Sequence, residues 1–131
     1  MRSWTVLDRV QTPDGVLELR RRADDDFLIT IDGRVLMNSR AHRSELGLAR
    51  LGCKGLTEPS PSVLIGGLGM GYTLRAALDC LPTHARIVVA ELNRCVLQWC
   101  EGPLAALTID AVRDPRVEVR IEDVAQSIAA A

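Results

Sequence analysis

The residues of this sequence best suited to chemistry are glycines and acids that follow short apolar runs. Gly67, Gly69 and Gly71 come after the apolar run 63–65. Glycine at such a place lets the backbone turn sharply, and a ligand can approach the main chain because no Cβ stands in the way. Glycine-rich turns also occur without a ligand, so this turn indicates a site only together with other residues.

The spacing of these glycines discriminates among ligands. A phosphate-binding P-loop has a Lys followed by Ser or Thr after its last glycine, whereas Gly71 is followed by Tyr72 and Thr73. A dinucleotide fingerprint that started at Gly67 would need Gly or Ala where Tyr72 stands. The remaining pattern, GxGxG, favours a nucleoside with an amino-acid or sulfonium tail over a pyrophosphate.

Two acids follow the next two predicted strands. Glu91 ends the apolar run 87–90, where a carboxylate can accept hydrogen bonds from both ribose hydroxyls. Asp123 follows the run 117–121, where it can accept a hydrogen bond from an adenine amino group. Glu91 can instead favour the positive end of the next helix, and Asp123 can instead be an N-cap. Because doubly wound sheets bind ligands outside the carboxyl ends of their strands, we expect the glycine turn and both acids to surround one nucleoside.

The first part of the chain is predicted to form β-hairpins. Apolar runs between residues 4 and 37 are separated by turn sequences at 13–15 and 32–33, and both turns contain an Asp-Gly pair. A helix is predicted over Ser39–Leu51, and the segment 55–62, which contains two prolines, is predicted to be a linker. We therefore assign residues 1–54 to a hairpin region with its linking helix.

The second part, residues 55–131, is predicted to be an α/β domain that binds the nucleoside. Strands at 63–65, 87–90 and 117–121 alternate with a helical stripe at 74–81, a helix that Asn93 can cap, and a last helix from Val124. This alternation is typical of a parallel, doubly wound sheet with Rossmann-like topology. The alternating pattern of 117–121 places that strand near an edge of the sheet.

The composition excludes several functions. The net charge of the 131 residues is −1, so no basic surface for nucleic acid or an anionic membrane is expected. No apolar run approaches the ~20 residues of a membrane helix, and the first ten residues lack the apolar stretch of a secretory signal. The four cysteines contain no CxxC pair, so we expect no metal site, and we expect a cytoplasmic protein with reduced thiols.

The sequence resembles the spermidine synthase family, whose members have the fold of class I S-adenosylmethionine-dependent methyltransferases. The stretch 63–75 is similar to the family's glycine motif and the helix after it. The stretch 87–93 is similar to the strand whose acid holds the cofactor's ribose, and 114–123 to the stretch that ends at the Asp in contact with adenine. The hairpin segment 31–36 and the helical Ser44-Glu45-Leu46 are also similar. The resemblance implies an N-terminal β-hairpin region followed by the first half of a methyltransferase fold.

Membership would imply binding of decarboxylated S-adenosylmethionine and transfer of its aminopropyl group to putrescine. The sequence departs from the family at the glycine motif, where Leu68, Gly69 and Met70 lie near the place of an Asp that holds the amine tail. The family's Tyr-His-Glu motif reads 43-Arg-Ser-Glu-45 here. S-adenosylmethionine itself therefore stays open as the ligand. A methyltransferase fragment and a non-catalytic binding or assembly module stay open as alternatives.

The strand at 63–65 is expected to be central in this fold, between the second strand and a fourth. The chain ends before a fourth strand and before the family's catalytic carboxylate, so we expect a truncated chain with impaired transfer and no assignable catalytic residue. An open central strand leaves main-chain groups without partners. We therefore expect a homo-oligomer, or a partner chain that covers this edge of the sheet.

Overall fold

The computed structural model describes residues 3–40, 60–123 and 125. The chain divides into two compact units, Met1–His42 and Arg43–Ala131. The predicted boundary between residues 54 and 55 lies outside the described residues. The same holds for residues 41–51 of the predicted first helix and for the last helix apart from Ala125. Residues 39 and 40, where the first helix was expected to begin, lie in a turn.

The first unit contains a four-stranded antiparallel sheet, as the hairpin signals predicted. Its strands are β1 (Thr5–Thr12), β2 (Gly15–Ala23), β3 (Asp26–Ile31) and β4 (Arg34–Asn38), and they lie in the order β1-β2-β3-β4. The β3–β4 turn has Asp32 at φ 47° and Gly33 at φ 81°. Two consecutive residues with positive φ favour the Asp-Gly sequence found there. The apolar side chains of the central strands form the core of this sheet: Leu17, Leu19, Phe27, Leu28 and Ile29.

The second unit contains a three-stranded parallel sheet in the order β5-β6-β7. The strands are β5 (Ser62–Gly66), β6 (Arg86–Glu91) and β7 (Val117–Ile121). Helix α1 (Tyr72–Cys80) follows β5, and helix α2 (Arg94–Glu101) follows β6. Two short 3-10 helices, Ala105–Thr108 and Ala111–Arg113, precede β7. The chain is thus an α/β protein in which an antiparallel hairpin sheet is followed by part of a methyltransferase-like parallel sheet, as predicted.

The register of the parallel sheet brings the three strand ends to one level. Gly66 pairs with Ala90, and Glu91 pairs with Ile121. The residues that follow β5, β6 and β7 therefore leave the sheet side by side. The apolar residues of β6 pack at its centre, with Ile87 and Val89 fully buried.

Arg116 anchors the opposite end of this unit. Its guanidinium donates to the carbonyl oxygens of Leu78 and Leu81 at 3.1 Å, at the carboxyl end of α1. It also pairs with Asp114, and this pairing lowers the pKa of the Asp114 carboxyl. The carboxyl end of α1 is thus fixed beside the start of β7, and the amino end of α1 carries the glycine turn.

Within the described residues, every helix is too short or too polar to cross a lipid bilayer.

Candidate functional site

The glycine turn between β5 and α1 adopts backbone angles that residues with a side chain disfavour. Gly67, Gly69 and Gly71 have φ values of 88°, 55° and 90°, all in the region that favours glycine. The two residues between them, Leu68 and Met70, are buried. The turn therefore places its side chains in the core.

Glu91 joins this turn to the end of β6. Its Oε1 accepts a hydrogen bond of 2.9 Å from the Leu68 amide, and its Oε2 accepts one of 2.8 Å from the Asn93 amide. The residue is only 6% exposed. Each carboxylate oxygen has two lone pairs, so both oxygens keep the capacity to accept a further bond from a ligand. One carboxylate thus organises two turns and remains able to bind a diol.

Asn93 occupies the N-cap position of α2, as the sequence suggested, but its side chain makes no capping hydrogen bond. The main-chain amide of Asn93 is instead bound by Glu91. The predicted side-chain cap is thus absent, and the acid in the preceding strand orders the start of this helix.

A cavity of about 290 Å³ lies across the three strand ends. This volume is close to the lower limit of roughly 300 Å³ for small-molecule sites. The cavity is lined at the end of β5 by Gly66 and Gly67, at the end of β6 by Ala90, Glu91 and Leu92, and after β7 by Glu122 and Asp123. Its lining thus contains three carboxylates and no cationic side chain. In the described part of the chain, no group of three His, Cys, Asp or Glu residues is arranged to hold a metal ion.

The side of the Gly67 backbone on which a side chain would stand is unoccupied. A Cβ added to Gly67 would meet no atom within 4 Å. Because Gly67 also lines the cavity, a ligand can come close to the main chain at this point. Leu92, which is 55% exposed, adds an apolar side chain to the cavity lining.

The structure brings together three of the five predicted site residues. Gly67, Glu91 and Asp123 line one cavity, whereas Gly69 and Gly71 do not line it. A Cβ at Gly71 would come within 3.3 Å of Thr108 Cγ2, so Gly71 allows the turn to pack closely against the 3-10 helix. The sequence analysis did not assign Gly66, Ala90, Leu92 and Glu122 to the site. Their positions could have indicated them, since each is next in sequence to a residue that was assigned to the site.

Asp123 has the contact expected of an N-cap and also lines the cavity. Its Oδ1 accepts a hydrogen bond of 2.8 Å from the amide of Ala125, two residues later in the chain. The two sequence interpretations of this residue are therefore compatible, because one carboxylate oxygen can hold the chain while the side chain borders the cavity.

Cys100 makes a hydrogen bond to the main chain of the glycine turn. Its Sγ donates to the carbonyl oxygen of Gly69 at 3.3 Å, and the side chain is buried. Burial, together with the carboxylates of Glu91 and Glu101, raises the pKa of the Cys100 thiol to about 12. The thiol therefore stays protonated at neutral pH and keeps its ability to donate. No residue pattern in the sequence predicts this contact.

Comparison with known proteins identifies the fold through structure alone. No protein-family model matches the sequence, and no curated protein matches it. Among solved structures, the spermidine synthase from Thermotoga maritima superposes with a TM-score of 0.77 at 22% sequence identity. The match covers 95% of this chain and 42% of that chain. The chain has a spermidine-synthase-like fold.

A second spermidine synthase structure gives the same result. That structure is a complex with the transition state analogue AdoDATO, and it superposes with a TM-score of 0.77 at 21% identity. The match covers 95% of this chain and 43% of that chain. The present chain thus spans less than half the length of either spermidine synthase, and the spermidine-synthase-like region includes both the hairpin sheet and the parallel sheet.

The protonated state of Cys100 makes a prediction about reactivity. Iodoacetamide reacts with thiolates, and the raised pKa of the Cys100 thiol keeps that group protonated at pH 8. We expect the exposed Cys80 to be alkylated in the folded protein and Cys100 to react only after unfolding. Mass spectrometry of the digested protein gives the rate at each cysteine. Alkylation of Cys100 at the rate of Cys80 would contradict the assigned burial and pKa.

Proposed function

We propose that the cavity at the strand ends binds the adenosine part of S-adenosylmethionine or of its decarboxylated form. The observation that carries this proposal is the position of Glu91. This buried carboxylate borders the cavity, contacts the glycine turn through Leu68, and retains lone pairs for two ribose hydroxyls. A nucleoside bound there would have its ribose at Glu91, its base toward Asp123 and its 5′ tail beside Gly67.

The charge of the cavity supports a nucleoside without phosphates. A phosphate group near Glu91, Glu122 and Asp123 would be repelled by three carboxylates, and the cavity lining supplies no Arg or Lys to offset that repulsion. A sulfonium cation is attracted by the same groups. The arrangement thus favours a sulfonium nucleoside over a nucleotide or dinucleotide.

The comparisons support the same class of ligand. One of the two spermidine synthase structures contains the transition state analogue AdoDATO. The cavity of the present chain lies in a fold that superposes on that protein over 95% of the chain. Aminopropyl transfer to putrescine is therefore the first candidate for the chemistry associated with this ligand.

Methyl transfer is the second candidate, and one observation favours it. Leu68 and Met70 are buried, so the glycine turn presents no acid to an amine tail. Such a turn lacks the acid that would select the lone amine of the decarboxylated form, and S-adenosylmethionine carries its own carboxylate beside the amine. Either transfer needs alignment of nucleophile, carbon and leaving sulfur, and a base for the proton. Glu91 accepts two amide hydrogen bonds and is proposed to hold the ribose, so we propose ligand binding for this chain and assign no base among the described residues.

The glycine turn provides a direct test with a matched control. Gly67→Ala places a methyl group in the open space beside the cavity, and we expect it to weaken binding of methylthioadenosine and S-adenosylmethionine by about tenfold or more in titration calorimetry. Gly33→Ala is the control, because Gly33 also has a positive φ and no atom within 4 Å of its added Cβ, and it lies in the β3–β4 turn of the first unit. Both variants carry a similar backbone cost of roughly 1–2 kcal/mol.

Only the Gly67 variant should lose affinity. Equal losses in both variants would indicate a general effect on folding, and unchanged binding by Gly67→Ala would refute the proposed path of the ligand. Wild-type protein that binds neither nucleoside would refute the proposed function itself.

The proposed contact between Asp123 and the adenine amino group predicts base selectivity. Wild-type protein should prefer methylthioadenosine to methylthioinosine, which lacks the amino group, by about tenfold or more, because a hydrogen bond to a charged acceptor contributes roughly 1.5–3 kcal/mol. Asp123→Asn keeps an oxygen that can accept from the Ala125 amide, and we expect it to reduce this preference. Competition binding with both nucleosides measures the ratio. A ratio that is the same in wild type and variant would show that Asp123 does not contact the base.

A further inference from the structure

The segment between α2 and β7 contains two consecutive residues with a left-handed backbone. Ile109 has φ 52° and ψ 50°, and Asp110 has φ 58° and ψ 41°. Residues other than glycine rarely adopt these angles, and for a β-branched residue such as isoleucine they are a clear outlier. The Ile109 side chain is 81% exposed, so its burial does not compensate for this conformation. The contacts of the neighbouring residues must therefore hold it.

The residues on both sides of this pair are buried. Thr108 before it is 4% exposed, and Ala111 after it is 1% exposed. The Asp110 amide donates to the carbonyl of Ala105 at 2.9 Å, and the Ala111 amide donates to Thr108 Oγ1 at 3.4 Å. The left-handed pair thus lets Thr108 and Ala111, only three positions apart, both be buried while Ile109 between them is exposed.

Thr108 contacts the last glycine of the turn that precedes α1. A Cβ added to Gly71 would lie 3.3 Å from Thr108 Cγ2 and 3.7 Å from its Oγ1, so the methyl group is the nearer of the two. The carbonyl oxygen of Thr108 also accepts a hydrogen bond of 3.3 Å from Arg75 in α1. The methyl group of Thr108 therefore packs beside the main chain of Gly71, and the Thr108 main chain is bound to the helix that follows the turn.

The glycine turn needs such contacts because its own residues restrain it little. Three of the five residues 67–71 are glycines, and glycine has more backbone freedom than any other residue. Glu91 and Cys100 form hydrogen bonds to main-chain groups within the turn, and Thr108 packs on the end that enters α1. Since Gly67 in this turn lines the cavity, the position of the turn affects the surface that a ligand meets.

We propose that Thr108 is a positioning residue for the ligand site, and that its methyl group fixes the glycine turn through Gly71. The left-handed pair after Thr108 directs this residue toward the turn. A turn that is ordered before binding loses less freedom when the ligand binds, so affinity is higher. This inference rests on the proposed nucleoside site, and it adds a residue outside the cavity to those that determine affinity.

Two variants separate the methyl group of Thr108 from its hydroxyl group. Thr108→Ser removes the methyl group, and we expect it to weaken binding of methylthioadenosine by about threefold or more in titration calorimetry. Thr108→Val keeps the methyl group and should bind within about twofold of wild type. Thr30→Ser is the matched control, because Thr30 is also buried but lies in β3, and it should leave the affinity unchanged. Circular dichroism establishes that each variant is folded.

A second measurement needs no ligand. The Gly71 amide donates to the carbonyl of Leu68 at 2.9 Å, so its hydrogen exchange reports on the order of the turn. We expect this amide to exchange faster in Thr108→Ser than in wild type, and Thr108→Val to restore the wild-type rate. The wild-type protein should also show a nuclear Overhauser effect between the Thr108 methyl group and the α-protons of Gly71, which tests the contact without any substitution.

The two measurements distinguish failure of this inference from failure of the proposed function. If wild type binds no nucleoside, the proposed function fails, and hydrogen exchange at Gly71 then decides whether Thr108 orders the turn. Unchanged affinity together with unchanged Gly71 exchange in Thr108→Ser would overturn the role of Thr108, as would absence of the nuclear Overhauser effect. An equal loss of affinity in Thr108→Val and Thr108→Ser would assign the effect to the hydroxyl group and would refute the role of the methyl group.

Discussion

The second unit depends on one buried carboxylate that accepts two main-chain hydrogen bonds. Burying a charge is costly unless hydrogen bonds compensate, and Glu91 is compensated by the amides of Leu68 and Asn93. These bonds fix the glycine turn after β5 relative to the start of α2. The Cys100 thiol, whose pKa is raised mainly by burial and further by the Glu91 and Glu101 carboxylates, donates to the Gly69 carbonyl in the same turn. The glycine turn is therefore held at Leu68 by Glu91 and at Gly69 by Cys100.

The parallel sheet places this local arrangement at the edge of the proposed ligand site. Because β5, β6 and β7 end at one level, the residues after each strand border a shared space. Each strand end borders that space with different groups. These are the open backbone of Gly67 after β5, the Glu91 carboxylate and the apolar Leu92 at the end of β6, and the Asp123 carboxylate after β7. A nucleoside has three matching parts, namely a 5′ substituent, a ribose diol and a base.

The sequence predicted the architecture because periodicity and turn chemistry are local. Apolar runs marked β5 and β6, Asp-Gly marked the β3–β4 hairpin, and the glycines marked the turn before α1. The contact that each residue of that turn makes was not predictable. That Gly71 packs against Thr108, that Gly69 accepts from Cys100, and that Glu91 binds the turn all require distant segments to come together.

The most direct test of this account is an NMR titration of isotopically labelled protein with methylthioadenosine. The account predicts that the amide signals of Gly66, Gly67, Leu68, Leu92 and Asp123 shift together with one saturation curve, because all of them belong to the cavity or to its hydrogen bond with Glu91. Signals of the hairpin sheet should remain in place. Saturable shifts confined to other residues, or no shifts at millimolar ligand, would contradict the assignment of the strand-end cavity as a nucleoside site.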